Sequence, residues 1–507
     1  MDTSRKQIIR LAVISVLVLL SCSCTPEMKK TRALQRAESH FKAGEYDAAK
    51  IEYLKALRLD PGNAVAYARC GAMWAAEGAA LRAGAFLMKA KEFAPKDLDN
   101  RYKLALVYVR VNQPQEAFKE ATEILKQAPD HGPALVLLAE TAVTPEQVQA
   151  AEQEVEKFPH QDSPYFEVAS AALAMRKQDL PKAEALLNHA IATDPKCVDA
   201  HVAMAVLAMA KKDDARAEEE LKTAAELSPV RSNERLSYAE FKIRKGNTEE
   251  AKKYLQDLTA QARDFVGAWV LQAKIAQAEK KYDEVIKLLQ NVFSRDPDNI
   301  EGRVAQAEAL IGKGDLKQGT GILENVDKTY PHNAGVKYQL ALAYVQAKDT
   351  NQAMAELDQA VTIAPKYLEA IVLLAQLRLR AGDARSVIGP LESALKLRPD
   401  AVQVRTLLAD AYQAVGRSDD SAGLFRDQVQ KTPDSPQAYV LLGVVLRRQN
   451  KNDEARKAFE KTLELDPENA VAIDQLADLD LQAKDFAAVH RRADAVLQKQ
   501  PQSAPAY

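Results

Sequence analysis

The sequence predicts an all-α solenoid built from one repeated helix–turn–helix unit. Three observations carry that expectation. Thirteen prolines between Pro61 and Pro501 recur at intervals that are mostly 34 residues, and the single gap of 68, from Pro229 to Pro297, has Arg263 at its midpoint. Between the prolines, apolar residues repeat at 3–4 spacing, the period of a helix with one buried face. Glycine (19), proline (22) and aromatics (6%) are too scarce in 507 residues for a turn-rich β architecture. Length alone would suggest three or four domains of ~150 residues. A fixed period overrides that expectation, because each unit buries its apolar face only against its neighbours.

The first residues are different. Arg5, Lys6 and Arg10 precede an unbroken apolar run of 10, Leu11 to Leu20, which ends in Ser21-Cys22-Ser23-Cys24. A basic segment, a short apolar segment and small residues describe a secretory signal over residues 1–21. Ten helical residues span only ~15 Å, half a bilayer's ~30 Å hydrocarbon core, so the run is a poor transmembrane helix. Leu19-Leu20-Ser21-Cys22 resembles the lipobox of bacterial lipoproteins, in which the cysteine is acylated and becomes the mature N-terminus. Cys22 is the predicted lipidation site and Cys24 the alternative. Neither following residue, Ser23 or Thr25, is Asp, which by the same resemblance favours the outer membrane, facing the periplasm. A polar tether is expected to run on to Lys30.

From residue 28 to 501 the units follow one another, about fourteen in all. The unit ending at Pro467 shows the pattern. Tyr439, Leu442, Gly443 and Leu446 share one helical face, Asn450 to Asp453 make the turn, and Ala455, Ala458, Phe459, Thr462 and Leu463 line the second helix. The closing proline cannot continue a helix. The unit ending at Pro159 is four residues short, with its turn cut to about Val143-Thr144-Pro145. The last residues, 502–507, read as the start of a further unit, with Tyr507 where its first aromatic would stand.

These residues resemble the tetratricopeptide repeat (TPR): an aromatic, Leu-Gly, Tyr, Gly, Ala, Phe, Ala and Pro at fixed offsets. The first unit matches through Gly44, Tyr46, Ala49, Tyr53, Ala56 and Pro61. The second matches through Tyr67, Gly71, Gly78, Ala83 and Pro95. The resemblance implies a right-handed superhelix whose first helices line a concave groove for a protein or peptide partner. On it, the fifth and twelfth positions of each unit face inward. They are mostly apolar, and the predicted groove residues are Tyr102, Leu106, Val109, Val202, Val206, Met209, Tyr338, Val345, Val372 and Leu379. Two outcomes stay open: an apolar groove that accepts an amphipathic partner, or side chains consumed in packing between adjacent repeats.

Chemistry is not evident. The seven histidines form no HExxH zinc motif, and no metal or cofactor is expected. Gly314 to Gly321 half-resembles a phosphate loop, but Thr320 stands where lysine is required. Cys70 and Cys197 are four units apart, beyond the ~7 Å Cα limit of a disulfide. A net charge of −2 argues against a nucleic-acid partner. The expectation is therefore a non-enzymatic, lipid-anchored scaffold that binds proteins in its groove. Its layout is similar to that of TPR lipoproteins associated with exopolysaccharide export and exosortase sorting. The alternative is the TPR region of a larger glycosyltransferase or protease, with its catalytic domain beyond residue 507.

Overall fold

The computed structural model describes residues 26–499, so the signal, Cys22, Cys24 and residues 502–507 lie outside the described residues. Among those described there are 28 helices, which pair in chain order into fourteen helix–turn–helix repeats. No helix among them is long and apolar enough to cross a membrane. By spatial clustering the chain divides into two compact units, residues up to Ala309 and residues from Leu310.

In the first unit, α1 (Pro26–Lys42) and α2 (Tyr46–Leu59) form repeat 1, and α3 (Ala64–Glu77) and α4 (Ala80–Phe93) form repeat 2. Then follow α5 (Leu98–Arg110), α6 (Pro114–Gln127), α7 (Gly132–Thr141), α8 (Pro145–Glu156), α9 (Pro164–Arg176) and α10 (Leu180–Thr193). Repeats 6 to 8 are α11 (Val198–Ala210), α12 (Asp214–Leu227), α13 (Asn233–Arg244), α14 (Thr248–Gln261), α15 (Val266–Ala278) and α16 (Tyr282–Arg295); α17 (Ile300–Gly312) opens repeat 9. The second unit continues through α18 (Leu316–Thr329), α19 (Ala334–Gln346), α20 (Thr350–Ile363), α21 (Leu368–Arg380), α22 (Arg385–Leu397), α23 (Val402–Ala414) and α24 (Ser418–Lys431). It closes with α25 (Pro436–Arg448), α26 (Asn452–Leu465), α27 (Ala470–Gln482) and α28 (Phe486–Lys499).

Local chemistry sets the helix ends. Side chains of Asn63, Asp97, Ser163, Asn333 and Ser435 accept from backbone N–H groups of the first turn of α3, α5, α9, α19 and α25. At the far end of the second helices, the residue before the proline leaves the helical region, as at Asp60 (φ −140°) and Asp466 (φ −137°). Ala262 adopts the same geometry, φ −136°, although Arg263 follows it in place of proline. Packing between repeats imposes that break even where proline does not.

Within a repeat the two helices meet at a small residue. A Cβ built on Gly443 would lie 2.5 Å from the ring of buried Phe459, so only glycine lets α25 and α26 approach this closely. Two expectations change. The tether expected through Lys30 is already helix from Pro26, and Lys30 pairs with Glu27 (2.6 Å) and Asp60 (3.4 Å). In the short repeat, the loss falls in the helices and not only in the turn. Its α7 has 10 residues where α5 has 13, and a Thr144–Gln147 capping box starts α8 at once.

Candidate functional site

In the first unit the chain of repeats curls until its eighth repeat meets its first two. Arg295, at the end of α16, pairs with Asp47 on α2. Arg82, on α4, places Nε 3.3 Å from Asp296 and donates to the Arg295 carbonyl at 3.3 Å. The Arg231 guanidinium lies 5.3 Å from the Tyr46 ring centre and also pairs with Asp264 at 2.7 Å. At the centre of this seam two backbones touch. Gly78 ends α3 with φ +94°, and a Cβ there would come within 3.0 Å of the Gly267 nitrogen on α15.

A buried ion pair backs the seam. Glu77 is fully buried, and Lys50 Nζ donates to its two oxygens at 2.5 and 2.7 Å while resting 4.0 Å from the Trp74 ring centre. Burial pushes the Glu77 carboxyl up and Lys50 opposes that shift. Lys50 also lies 3.2 Å from Asp47, so the pair connects directly to the contact with Arg295.

Inside the closed turn is a cavity of about 300 Å³, lined by Arg110, Asn233, Ser237, Glu240, Lys274 and Glu301, with Gly78 and Gly267 at its edge. Lys274 pairs with Glu301 at 2.8 Å. Arg110 donates to the Ala75 carbonyl at 2.9 Å and so is held by backbone. Arg176, further along the interior, is likewise held by the Ala139 carbonyl at 3.3 Å.

The predicted groove residues divide between the two outcomes left open by the sequence. None is fully buried. Leu106 (40% exposed), Val109 (45%) and Val206 (47%) keep open apolar surface in the first unit. Tyr102 and Met209 are half-buried against the core, and Val202 is also half-buried. In the second unit Tyr338, Val345, Val372 and Leu379 are half-buried against neighbouring core side chains, with Tyr338 5.2 Å from the Tyr367 ring. There, packing takes up most of the stripe.

Reading the fifth and twelfth positions missed the acidic residues of the interior. Glu140, Glu240 and Glu308 stand one helical turn after the fifth position, and Asp199 stands three residues before Val202. The signal was present, since residues three and four apart share a helix face. The phenol of Tyr102 feels the charges of Glu140, Asp199 and Glu234, so side chains from α5, α7, α11 and α13 converge. Their recessed position pushes the carboxyls of Asp199, Glu240 and Glu308 up. Glu140 is pushed up to about 7, mainly by desolvation and then by Asp199, against Arg176. Glu140 still faces water at its surface, so salt and solvent screen part of that effect.

Charged residues of repeat 13 are engaged in the same way. Arg447 donates to the Gln475 carbonyl at 3.0 Å and lies 3.8 Å from Asp478, and Arg448 pairs with Asp410. Cys70 and Cys197 are both buried free thiols, and burial drives the Cys70 thiol up to about 12.

Comparison with known proteins agrees with the repeat. Family models described as tetratricopeptide repeat match residues 33–63, 174–234, 311–377 and 406–470. No curated protein matches the chain. Among solved structures, the yeast Tom70 crystal structure is 16% identical with a TM-score of 0.46, covering 84% of this chain and 97% of that one. MamA is 22% identical with a TM-score of 0.29, covering 32% of this chain and 96% of its own. YrrB, described as a TPR protein with an unusual peptide-binding site, is 14% identical with a TM-score of 0.32, covering 39% and 98%. The chain carries tetratricopeptide repeats, folded as an all-α solenoid.

Proposed function

We propose that this chain is a non-enzymatic scaffold that binds protein partners on the concave side of its repeats and is anchored to the bacterial cell envelope by a lipid on Cys22. The observation that carries the binding reading is the open apolar surface at Leu106, Val109 and Val206. All three lie on the first helices of their repeats, at positions where packing would otherwise have covered them. The anchor rests on the sequence from Arg5 to Cys24. Exopolysaccharide export and envelope protein assembly or sorting are the roles that fit this layout.

Each half has its own test. A photo-crosslinking residue placed at Leu106 or Val206 in cells should yield a discrete protein adduct. The same residue at Met88, exposed on the second helix of repeat 2, should not. Equal adducts at all three positions, or none, would remove the groove from the argument. For the anchor, the mass of the mature N-terminal peptide should show a diacylated or triacylated Cys22, lost in Cys22→Ser. An unmodified N-terminus at another residue would overturn it.

A further inference from the structure

The interior of the first unit is unevenly charged. Glu140, Asp199, Glu234, Glu240 and Glu308 make no ion pair among the described residues, whereas the outward carboxylates Glu116, Glu184 and Glu218 do. Arg176 opposes the charge of Glu140 while donating to the Ala139 carbonyl, Lys274 and Arg244 oppose Glu240, and Lys274 also opposes Glu308. Asp199, by contrast, has only the like charge of Glu234 acting on it. Open apolar surface lies on the same lining. Val206 is two helical turns beyond Asp199 on one stripe of α11, and Leu106 is one turn beyond Tyr102, whose phenol feels both Glu140 and Asp199.

We propose that the interior of the first unit takes a segment of a partner protein that alternates lysine or arginine with apolar residues. Its cations lie beside Glu140 and Asp199, and its apolar side chains lie against Leu106, Val109 and Val206. This rests on the groove-binding reading above and adds the chemistry of what binds.

The test uses the full chain and three fluorescent octapeptides: alternating Lys-Leu, alternating Glu-Leu and alternating Ser-Leu. Anisotropy should show binding of the Lys-Leu peptide alone. Its affinity should fall about tenfold in the double variant Glu140→Gln, Asp199→Asn, the equivalent of ~1.4 kcal/mol for two screened pairs. Glu116→Gln with Glu123→Gln, on the outward second helix of repeat 3, controls for attraction to any acidic surface and should change nothing. A photo-crosslinker at Val206 in the otherwise unaltered chain reads the same contact without touching a charge, and should label the Lys-Leu peptide. If the Ser-Leu or Glu-Leu peptide binds and crosslinks equally, the groove remains a binding site and the basic-segment inference fails. If the interior and outer variants weaken binding alike, the inference also fails. If neither these peptides nor a cellular protein crosslinks at Leu106 or Val206, the groove reading itself is lost.

Discussion

Arg82 Nε lies 3.3 Å from a carboxylate oxygen of Asp296, which joins the second repeat to the end of the eighth. Asp296 is buried, its carboxyl is pushed up by that burial, and Arg82 is the cation that opposes the shift. Arg82→Ala leaves the buried Asp296 carboxylate with the Asn299 amide (3.0 Å) but without its cation, at a cost of ~1–3 kcal/mol. The same change also removes the hydrogen bond to the Arg295 carbonyl. Spin labels on α2 and α16 should therefore report a broader and longer distance distribution in the variant, and in the unaltered chain at 1 M salt. An unchanged distribution would mean that the seam does not depend on this contact.

Gly78 and Gly44 separate backbone strain from closure. Both have positive φ, +94° and +74°, but nothing lies within 4 Å of a Cβ at Gly44, whereas one at Gly78 meets the Gly267 backbone. Gly44→Ala should cost only the left-handed penalty, ~1–2 kcal/mol. Gly78→Ala should cost more and should also lengthen the α2–α16 distance, because backbone cannot move aside as a side-chain tip can. Equal losses in denaturant titrations, with no change in distance, would show that the two backbones do not press on each other.

The repeat was legible because each signal is local. A proline every 34 residues, a small residue at Gly443 opposite Phe459, and caps such as Asn63 each act within one unit. Of the ten residues that the resemblance placed on the inward stripe, Leu106, Val109 and Val206 keep open apolar surface, and the other seven are at least half-buried. The seam was not legible. Nothing within repeat 2 or repeat 8 marks Gly78 and Gly267 as partners. Their meeting depends on small rotations between repeats accumulating over six units, which no local spacing encodes. The acidic interior was missed more simply. Glu140, Glu240 and Glu308 read as ordinary surface carboxylates until packing of the first unit desolvates them.

The Lys50–Glu77 pair should behave as a buried charge pair. Lys50→Met leaves Glu77 fully buried with its principal cation gone, and should cost ~3–5 kcal/mol. The double change Lys50→Met, Glu77→Gln removes both charges, so most of that loss should return. Chemical denaturation of the two single variants and the double variant forms the cycle. A double variant as weak as Lys50→Met would show that packing against Trp74, and not charge, is what Lys50 supplies.

Several turns carry lysine where the backbone is left-handed. Lys212, Lys280 and Lys348 have φ between 59° and 61°, at the turn between the two helices of their repeats. Equivalent turns carry glycine at Gly246, Gly314 and Gly382. Replacing each lysine by glycine removes the Cβ clash, a gain of ~1 kcal/mol before the greater freedom of unfolded glycine is subtracted. Each single change should raise the thermal midpoint slightly, and the three together should add, since they sit in separate repeats. A net loss in all three would mean that the lysine side chains contribute more than the backbone geometry suggests.

Glu140 makes the stability of the first unit depend on pH in a direction opposite to that of most carboxylates. Its carboxyl is pushed up to about 7 from an ordinary 4.5, so the folded chain holds this proton more tightly than the unfolded chain does. The contribution is therefore complete below pH 4.5, declines as pH rises towards 7, and is constant above that. Glu140→Gln keeps the shape and removes the titration. The unaltered chain should lose stability relative to this variant between pH 5 and pH 8, and the loss should shrink at 0.5 M salt because the carboxylate is open to water. Carbon-13 chemical shifts of the Glu140 carboxyl across the same range read the midpoint directly. A midpoint near 4.5, with parallel stability curves for the two chains, would show that neither desolvation nor Asp199 holds the proton on Glu140.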